Sequence, residues 1–262
     1  MSTTSFVAWV GIAAIAGAAA CGDSGGSGAS GNDGGNGSGA GNTGAGDSGG
    51  DPNIQPTCDP PAFTHAGDGT FYDFADGSGN CSFPATPDDL MVGAMNHVDY
   101  AASAVCGSCV EIKGPSGNTI KIRVVDQCPE CPEGDIDLSP EAFSQLADLG
   151  LGRIDIQWDY VPCDVTGPIV YHYKEGSNPY WIAVQIRNHR TAIAKVEAID
   201  SSGNFVELPR ADYNFFIDDS GLGEGPYTFR VTDVLGEVLV DDNIPFVDSG
   251  DASGAAQFSG CL

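Results

Sequence analysis

Positive charge is what this sequence has least of: 10 Lys and Arg stand against 36 Asp and Glu, a formal net charge of −26. Binding to a nucleic-acid backbone rests on neutralising phosphates with Lys and Arg, so that class of partner is excluded. Acidic pectin is disfavoured for the same reason, which leaves neutral glycans as the easier polymeric partner. The simplest meaning of the charge is solubility outside the cell. Long hydrophobic runs are also missing. The apolar stretch from Phe6 to Ala20 is too short for a stable bilayer span and has the length of a signal-peptide core.

That stretch stops at Ala18-Ala19-Ala20-Cys21-Gly22, which resembles a bacterial lipobox with Ala in the usual Leu position and no Lys or Arg ahead of it. Lipidation of Cys21 and ordinary signal-peptidase cleavage are both open, and both export the chain. Residues 1–20 are read as the signal peptide and 21–57 as a tether. From Gly22 to Gly50 the chain is Gly, Ser, Asn and Asp with a little Ala and Thr, too poor in apolar groups to offset the entropy of ordering.

Beyond the tether the pattern is that of short strands. Ile120, Ile122 and Val124 alternate with Lys121 and Arg123, and Ile154, Ile156 and Trp158 alternate with Asp155, Gln157 and Asp159. Asp126 continues the inward phase of the first series at the strand's end, a position at a barrel rim. One helix is predicted between these strands. Ser139 is its N-cap and Pro140 its first residue, Phe143, Leu146, Ala147 and Leu149 form its apolar face, and Gly150 stops it. After Cys163 a second series of strands covers 169–174, 181–188, 193–198 and 227–232, with turn residues between several of them, the spacing of a β-sandwich. The expected folded domains are 58–164 and 165–248, followed by a tail over 249–262.

Setting Cys21 aside leaves eight cysteines. Cys106-x-x-Cys109 and Cys128-x-x-Cys131 have the spacing of a four-thiolate zinc site, but export favours oxidised thiols, so disulfides are preferred and no metal or cofactor is expected. Eight cysteines admit about 105 connectivities.

Several segments together resemble the expansins. They are Gly69-Thr70-Phe71-Tyr72, Gly79-Asn80-Cys81, the run Cys106 to Ile112, Val124-Val125-Asp126-Gln127-Cys128-Pro129 and Asp135-Ile136-Asp137-Leu138-Ser139. In the second half they are Lys174-Glu175-Gly176-Ser177, Tyr180-Trp181, the run Ala183 to His189 and Asp212-Tyr213-Asn214. The similarity spans about 62–247 and is to the bacterial branch. It implies an all-β protein, a six-stranded double-psi β-barrel followed by an immunoglobulin-like β-sandwich. It also implies an extracellular or outer-surface monomer that binds cellulose and related β-glucans and loosens them without hydrolysis, touching membrane only through a lipid on Cys21.

Under that resemblance Asp137 is the essential acid, with Asp126, Thr70 and Tyr72 in the same groove. Tyr180, Trp181 and Tyr213 form the glycan-binding strip, with Lys174 beside it. Cys81–Cys106 and Cys109–Cys163 resemble plant expansin bridges; Cys128–Cys131 and Cys58–Cys261 complete the most economical pairing. Cys128 stands where bacterial expansins carry a Tyr. Asp73 and Asp76 lie near the place of the catalytic base in the related cellulases, or are simply turn residues. Competing functions are an endoglucanase, a lytic transglycosylase like rare lipoprotein A, whose Asn-Asp-Arg-Gly-Pro motif this chain lacks, and a non-catalytic adhesin.

Overall fold

A computed structural model describes residues 54–73 and 75–261. The leader, Cys21 and nearly all of the tether lie outside the described residues. Six strands, β1 (His65–Phe71), β2 (Val92–Asn96), β3 (Cys109–Lys113), β4 (Thr119–Cys128), β5 (Ile136–Leu138) and β6 (Ile154–Val161), close a barrel in the order β1-β5-β2-β4-β3-β6. Two of its pairs, β1 with β5 and β2 with β4, are parallel. The alternation read from the sequence fills the barrel. Ile122, Val124, Ile136, Leu138, Ile156 and Trp158 are all buried, and the indole N–H of Trp158 donates to the Gly134 carbonyl (2.8 Å).

Two helices accompany the barrel, α1 (His97–Tyr100) and α2 (Pro140–Leu146). Ser139 caps α2 through its Oγ, which accepts the Ala142 N–H (3.0 Å). The helix stops earlier than predicted. Ala147 is already extended (φ −162°), and the Asp148 carboxylate takes the Gly150 N–H (2.7 Å) to start a separate 3-10 turn over Leu149–Leu151. A side chain that competes for backbone donors ends the helix before the glycine does.

The second domain packs two four-stranded sheets. One runs β10-β9-β12-β13 and the other β11-β8-β7-β14. Their strands are β7 (Val170–Tyr173), β8 (Ile182–Arg187), β9 (Ile193–Ile199), β10 (Phe205–Glu207), β11 (Phe216–Asp218), β12 (Tyr227–Asp233), β13 (Val238–Ile244) and β14 (Asp251–Ser253). Tyr171 of one sheet stacks on Phe229 of the other with centroids 4.9 Å apart. The sandwich extends past residue 248. Within the segment expected as a tail, β14 pairs with β7, and Phe258 is fully buried in the sandwich core.

Four disulfides are present: Cys58–Cys261, Cys81–Cys106, Cys109–Cys163 and Cys128–Cys131. Barrel and sandwich form one compact unit, joined along a seam in which Ala192 and Val234 of the second domain pack into the barrel's apolar cluster.

Candidate functional site

Strand register assembles the first half of the site. Thr70 on β1 lies opposite Asp137 on β5, Asp137 opposite Ala94 on β2, and Ala94 opposite Asp126 on β4. These four residues form one row across four adjacent strands. With strands spaced at about 4.8 Å, the backbones of Asp137 and Asp126 are about 10 Å apart. The small Ala94 between them leaves the floor open.

Asp126 reaches this row only because of a β-bulge. The β2/β4 register shifts between Gly93 and Ala94, leaving Val125 as the extra residue. Simple alternation would place Asp126 in phase with the buried Val124, as the sequence reading had it. The bulge resets the phase and brings Asp126 level with Ala94 and Asp137, the re-aiming that bulges commonly achieve near functional sites.

Asp137 is half-buried and takes a 2.5 Å hydrogen bond from the Thr70 hydroxyl. Burial raises its pKa above the usual carboxylate value; the Thr70 bond opposes this, and Glu130 and Asp126 add to it. The sequence allowed Asp137 a structural role at the helix start, but Ser139 fills that role and leaves Asp137 facing Thr70. Tyr72 borders the same groove. Its hydroxyl is buried without a partner among the described residues, and burial, followed by the fields of Asp126, Asp137 and Asp76, keeps it a neutral phenol.

The other carboxylates are differently placed. Asp126 Oδ1 accepts the backbone N–H groups of Asn80 (2.7 Å) and Gln127 (2.8 Å). Asp76 closes a turn on itself, accepting the N–H (2.9 Å) and hydroxyl (2.5 Å) of Ser78, and these bonds hold its pKa below the usual value. Asp73 is exposed and shares with Asp76 and Glu141 a hollow of about 370 Å³ beside the start of α2. Cys128 is bonded to Cys131 and brings no aromatic ring to the groove.

The second half of the site is the outer face of the β11-β8-β7-β14 sheet. Ile182, Val184 and Ile186 enter the sandwich core, so Trp181, Ala183, Gln185 and Arg187 share the opposite face. Trp181 is half-buried, and Tyr180 is 81 % exposed on the turn before it. That turn is seated on Gly221, where a Cβ would lie 2.3 Å from the Tyr180 Cα. Tyr213 packs on Phe215 (6.0 Å between centroids), and the Lys174 ammonium lies over the same ring (5.9 Å).

Phe215 was not singled out in the sequence. It is nearly buried beneath Tyr213, Lys174 and His172 and is the platform on which that end of the strip rests. The pattern Tyr213-Asn214-Phe215-Phe216 contains the signal: Phe216 points into the core, so its neighbour Phe215 must point out. From Gln185 to Trp181, just before the start of β8, is four residues, about 13 Å.

Asn80 joins the two halves. Its backbone N–H holds Asp126, while its side-chain amide donates to the Tyr100 hydroxyl (2.8 Å) and to the Asp212 carbonyl (3.0 Å). The next carbonyl, that of Cys81, accepts from Gln185 Nε2 (2.8 Å) and Asn214 Nδ2 (3.3 Å). Both neighbours of Tyr213 are therefore tied to the loop that covers Asp126. Gln185 is fully buried by this contact. Gly79 permits it, since a Cβ there would sit 2.5 Å from the Asp126 side chain.

Comparison with known proteins agrees with this architecture. A double-psi β-barrel family model described as lytic transglycolase matches residues 91–158. Expansin-YoaJ of Bacillus subtilis is 37% identical over 163 residues, 61% of this chain and 68% of that protein. Expansin-like protein 5 of Dictyostelium discoideum is 30% identical over 200 residues, covering 71% and 82% respectively. The apo crystal structure of the Clavibacter michiganensis expansin superposes with a TM-score of 0.69 at 32% identity, covering 74% of this chain and 96% of that one. A mutant of the same expansin, solved in complex with cellohexaose, matches equally well. The bulge-aligned acid row, the aromatic outer face and these similarities lead to one conclusion: the chain belongs to the expansin family.

Proposed function

We propose that this expansin-like cell-wall protein binds cellulose and related β-glucans through Tyr180, Trp181 and Tyr213, flanked by Lys174. It loosens the polymer without hydrolysis in the groove of Thr70, Tyr72, Asp126 and Asp137. The observation that carries this reading is the unequal state of the carboxylates. Asp137 keeps its proton to higher pH than a free carboxyl group, whereas Asp126 and Asp76 are engaged by hydrogen bonds and Asp73 is an exposed residue outside the Thr70–Asp137–Asp126 row.

Inverting hydrolysis needs a second carboxylate, about 6.5–9.5 Å away, free to take a proton from water. Asp126 Oδ1 already accepts two backbone donors, and Asp76 is a weak base because its own turn stabilises the anion. Neutral aromatic stacking suits a chain of net charge −26 that repels acidic glycans. The cellohexaose complex of the Clavibacter relative supports the glycan class.

The protein acts outside the cell as a monomer, with the barrel over 58–164 presenting the groove and the sandwich from 165 onward presenting the strip. Anchoring through Cys21 is an additional expectation that mass spectrometry of the exported protein tests. Binding to crystalline cellulose is tested by pull-down with Trp181→Ala. As a central aromatic anchor, its truncation is expected to cost about 2 kcal/mol, a roughly 30-fold loss of affinity. Unchanged retention on cellulose would remove the strip from the proposal.

A further inference from the structure

The seam between barrel and sandwich contains a cavity that the glycan site does not use. Its volume is about 270 Å³, and its walls include Ile54, Ala101 and Ala104 from the barrel side and Ala194 and Val234 from the sandwich. One charged group lines it, Arg210. Among the described residues Arg210, like four other cations, takes part in none of the ion pairs, but it is the one that lines this cavity. Its NH1 donates to the Ser103 carbonyl (3.1 Å), its NH2 donates to the Ile193 carbonyl, and Phe216 covers one face with the ring centroid 4.6 Å from Cζ. Burial lowers its pKa to about 10, the mark of a cation short of counter-charge.

The backbone around the cavity is also unusual. Ala101, Ala102 and Ser103 have φ of 47°, 49° and 73°, three successive non-glycine residues in the left-handed region. L-residues visit that region singly rather than in runs, and such strain persists only where its surroundings enforce it. Here the enforcing contacts are the Arg210 bond to Ser103 and the Ser103 hydroxyl donating to the Ala211 carbonyl (2.8 Å). The strained turn and the arginine are thus held together at the cavity's edge.

We propose that this seam cavity is a binding site for a small aliphatic monocarboxylate, its carboxylate on Arg210 and its alkyl body against Ala101, Ala104, Ala194 and Val234. A planar guanidinium presents a donor fork that matches a carboxylate. Apart from Arg210 the wall side chains are all alanine, isoleucine or valine, so they suit an alkyl body and give a sugar's hydroxyls no side-chain partners. At about 30 Å³ per water the space holds about nine water-sized groups, which fits an acid of five or six carbons. Because the walls come from both domains, an occupant stabilises the seam by mass action.

The test uses the purified full chain with isovalerate as probe, and isovaleramide and inorganic phosphate as controls, read by titration calorimetry and by amide NMR shifts. Isovalerate is expected to bind saturably one-to-one at millimolar concentration, to raise the thermal midpoint and to move the Ala101, Ala102 and Ala194 amides. The neutral amide and phosphate are expected to do none of the three. Arg210→Met should weaken isovalerate at least tenfold. Should that variant misfold, Ala194→Leu fills the cavity with Arg210 intact and should abolish binding. Absence of saturable binding to the unaltered chain, equal binding of isovaleramide, or full binding by a folded Arg210→Met or Ala194→Leu protein would overturn the proposal.

Discussion

Asp137→Ala is expected to abolish wall creep, with at least a tenfold loss of extension rate, while binding to cellulose stays within twofold of the unaltered protein. The separation follows from placement: Asp137 lies in the barrel groove, and the strip is on the outer face of the sandwich. The pH profile makes the test sharper. Burial raises the Asp137 pKa above its ordinary value, so the protonated form extends to higher pH than for a free carboxyl group. If the proton on Asp137 is used in loosening, creep is greatest on the acid side and falls as pH rises through that raised pKa. Asp137→Asn, neutral at every pH, should flatten this dependence whatever activity it retains. Creep recordings on heat-inactivated wall strips, taken from acid to neutral pH, distinguish these outcomes. A profile in Asp137→Asn as steep as in the unaltered protein would remove Asp137 as the titrating group.

The second large effect concerns stability. Cys58 precedes the barrel and Cys261 ends the strap that carries Phe258, so their bond spans 203 residues and both domains. Closing a loop of that length removes more denatured-state entropy than any other bridge here. Its loss by Cys58→Ser with Cys261→Ser is expected to cost about 5 kcal/mol, the upper end of the usual range. That is comparable to the whole stability of many domains, so urea unfolding should shift to markedly lower denaturant. The strap would be affected first. Gln257 bonds to the Gly167 and Asn188 carbonyls, and Arg190 to those of Phe258 and Ser259, contacts that hold the C-terminal segment against the start of the sandwich. An unchanged unfolding midpoint would show that these hydrogen bonds suffice without the disulfide.

Much of the fold was legible because strands half-buried against one core must alternate. Ile120, Ile122 and Val124, and Ile154, Ile156 and Trp158, could be read residue by residue, and the Ser139-Pro140 cap could be read from local chemistry. What escaped the sequence depends on pairs of strands or on distant loops. The bulge at Val125 is a property of the β2/β4 register and leaves no trace in the β4 pattern itself, so the phase of Asp126 was misjudged. The early end of α2 came from Asp148, a competitor for backbone donors inside an otherwise helical pattern. In β14 only Ala252 is apolar, too little to signal a strand without its partner β7.

The site followed the same division. The acids and aromatics were visible as residue types, whereas the roles of Phe215 as platform and Asn80 as link required the tertiary contacts. Asp73 and Asp76 were ambiguous in sequence because turn residues and catalytic bases are the same residue type. The hydrogen bonds of Asp76 to Ser78 give it the turn chemistry.

The central claim is loosening without cleavage, and one assay addresses it directly. Purified protein is applied to heat-inactivated plant wall strips under load, and extension is recorded while the bathing solution is assayed for reducing ends. Extension well above buffer with reducing sugar at the buffer level is the predicted result. Soluble oligosaccharides that accumulate with the unaltered protein and vanish with Asp73→Ala would contradict it and make the groove a hydrolase.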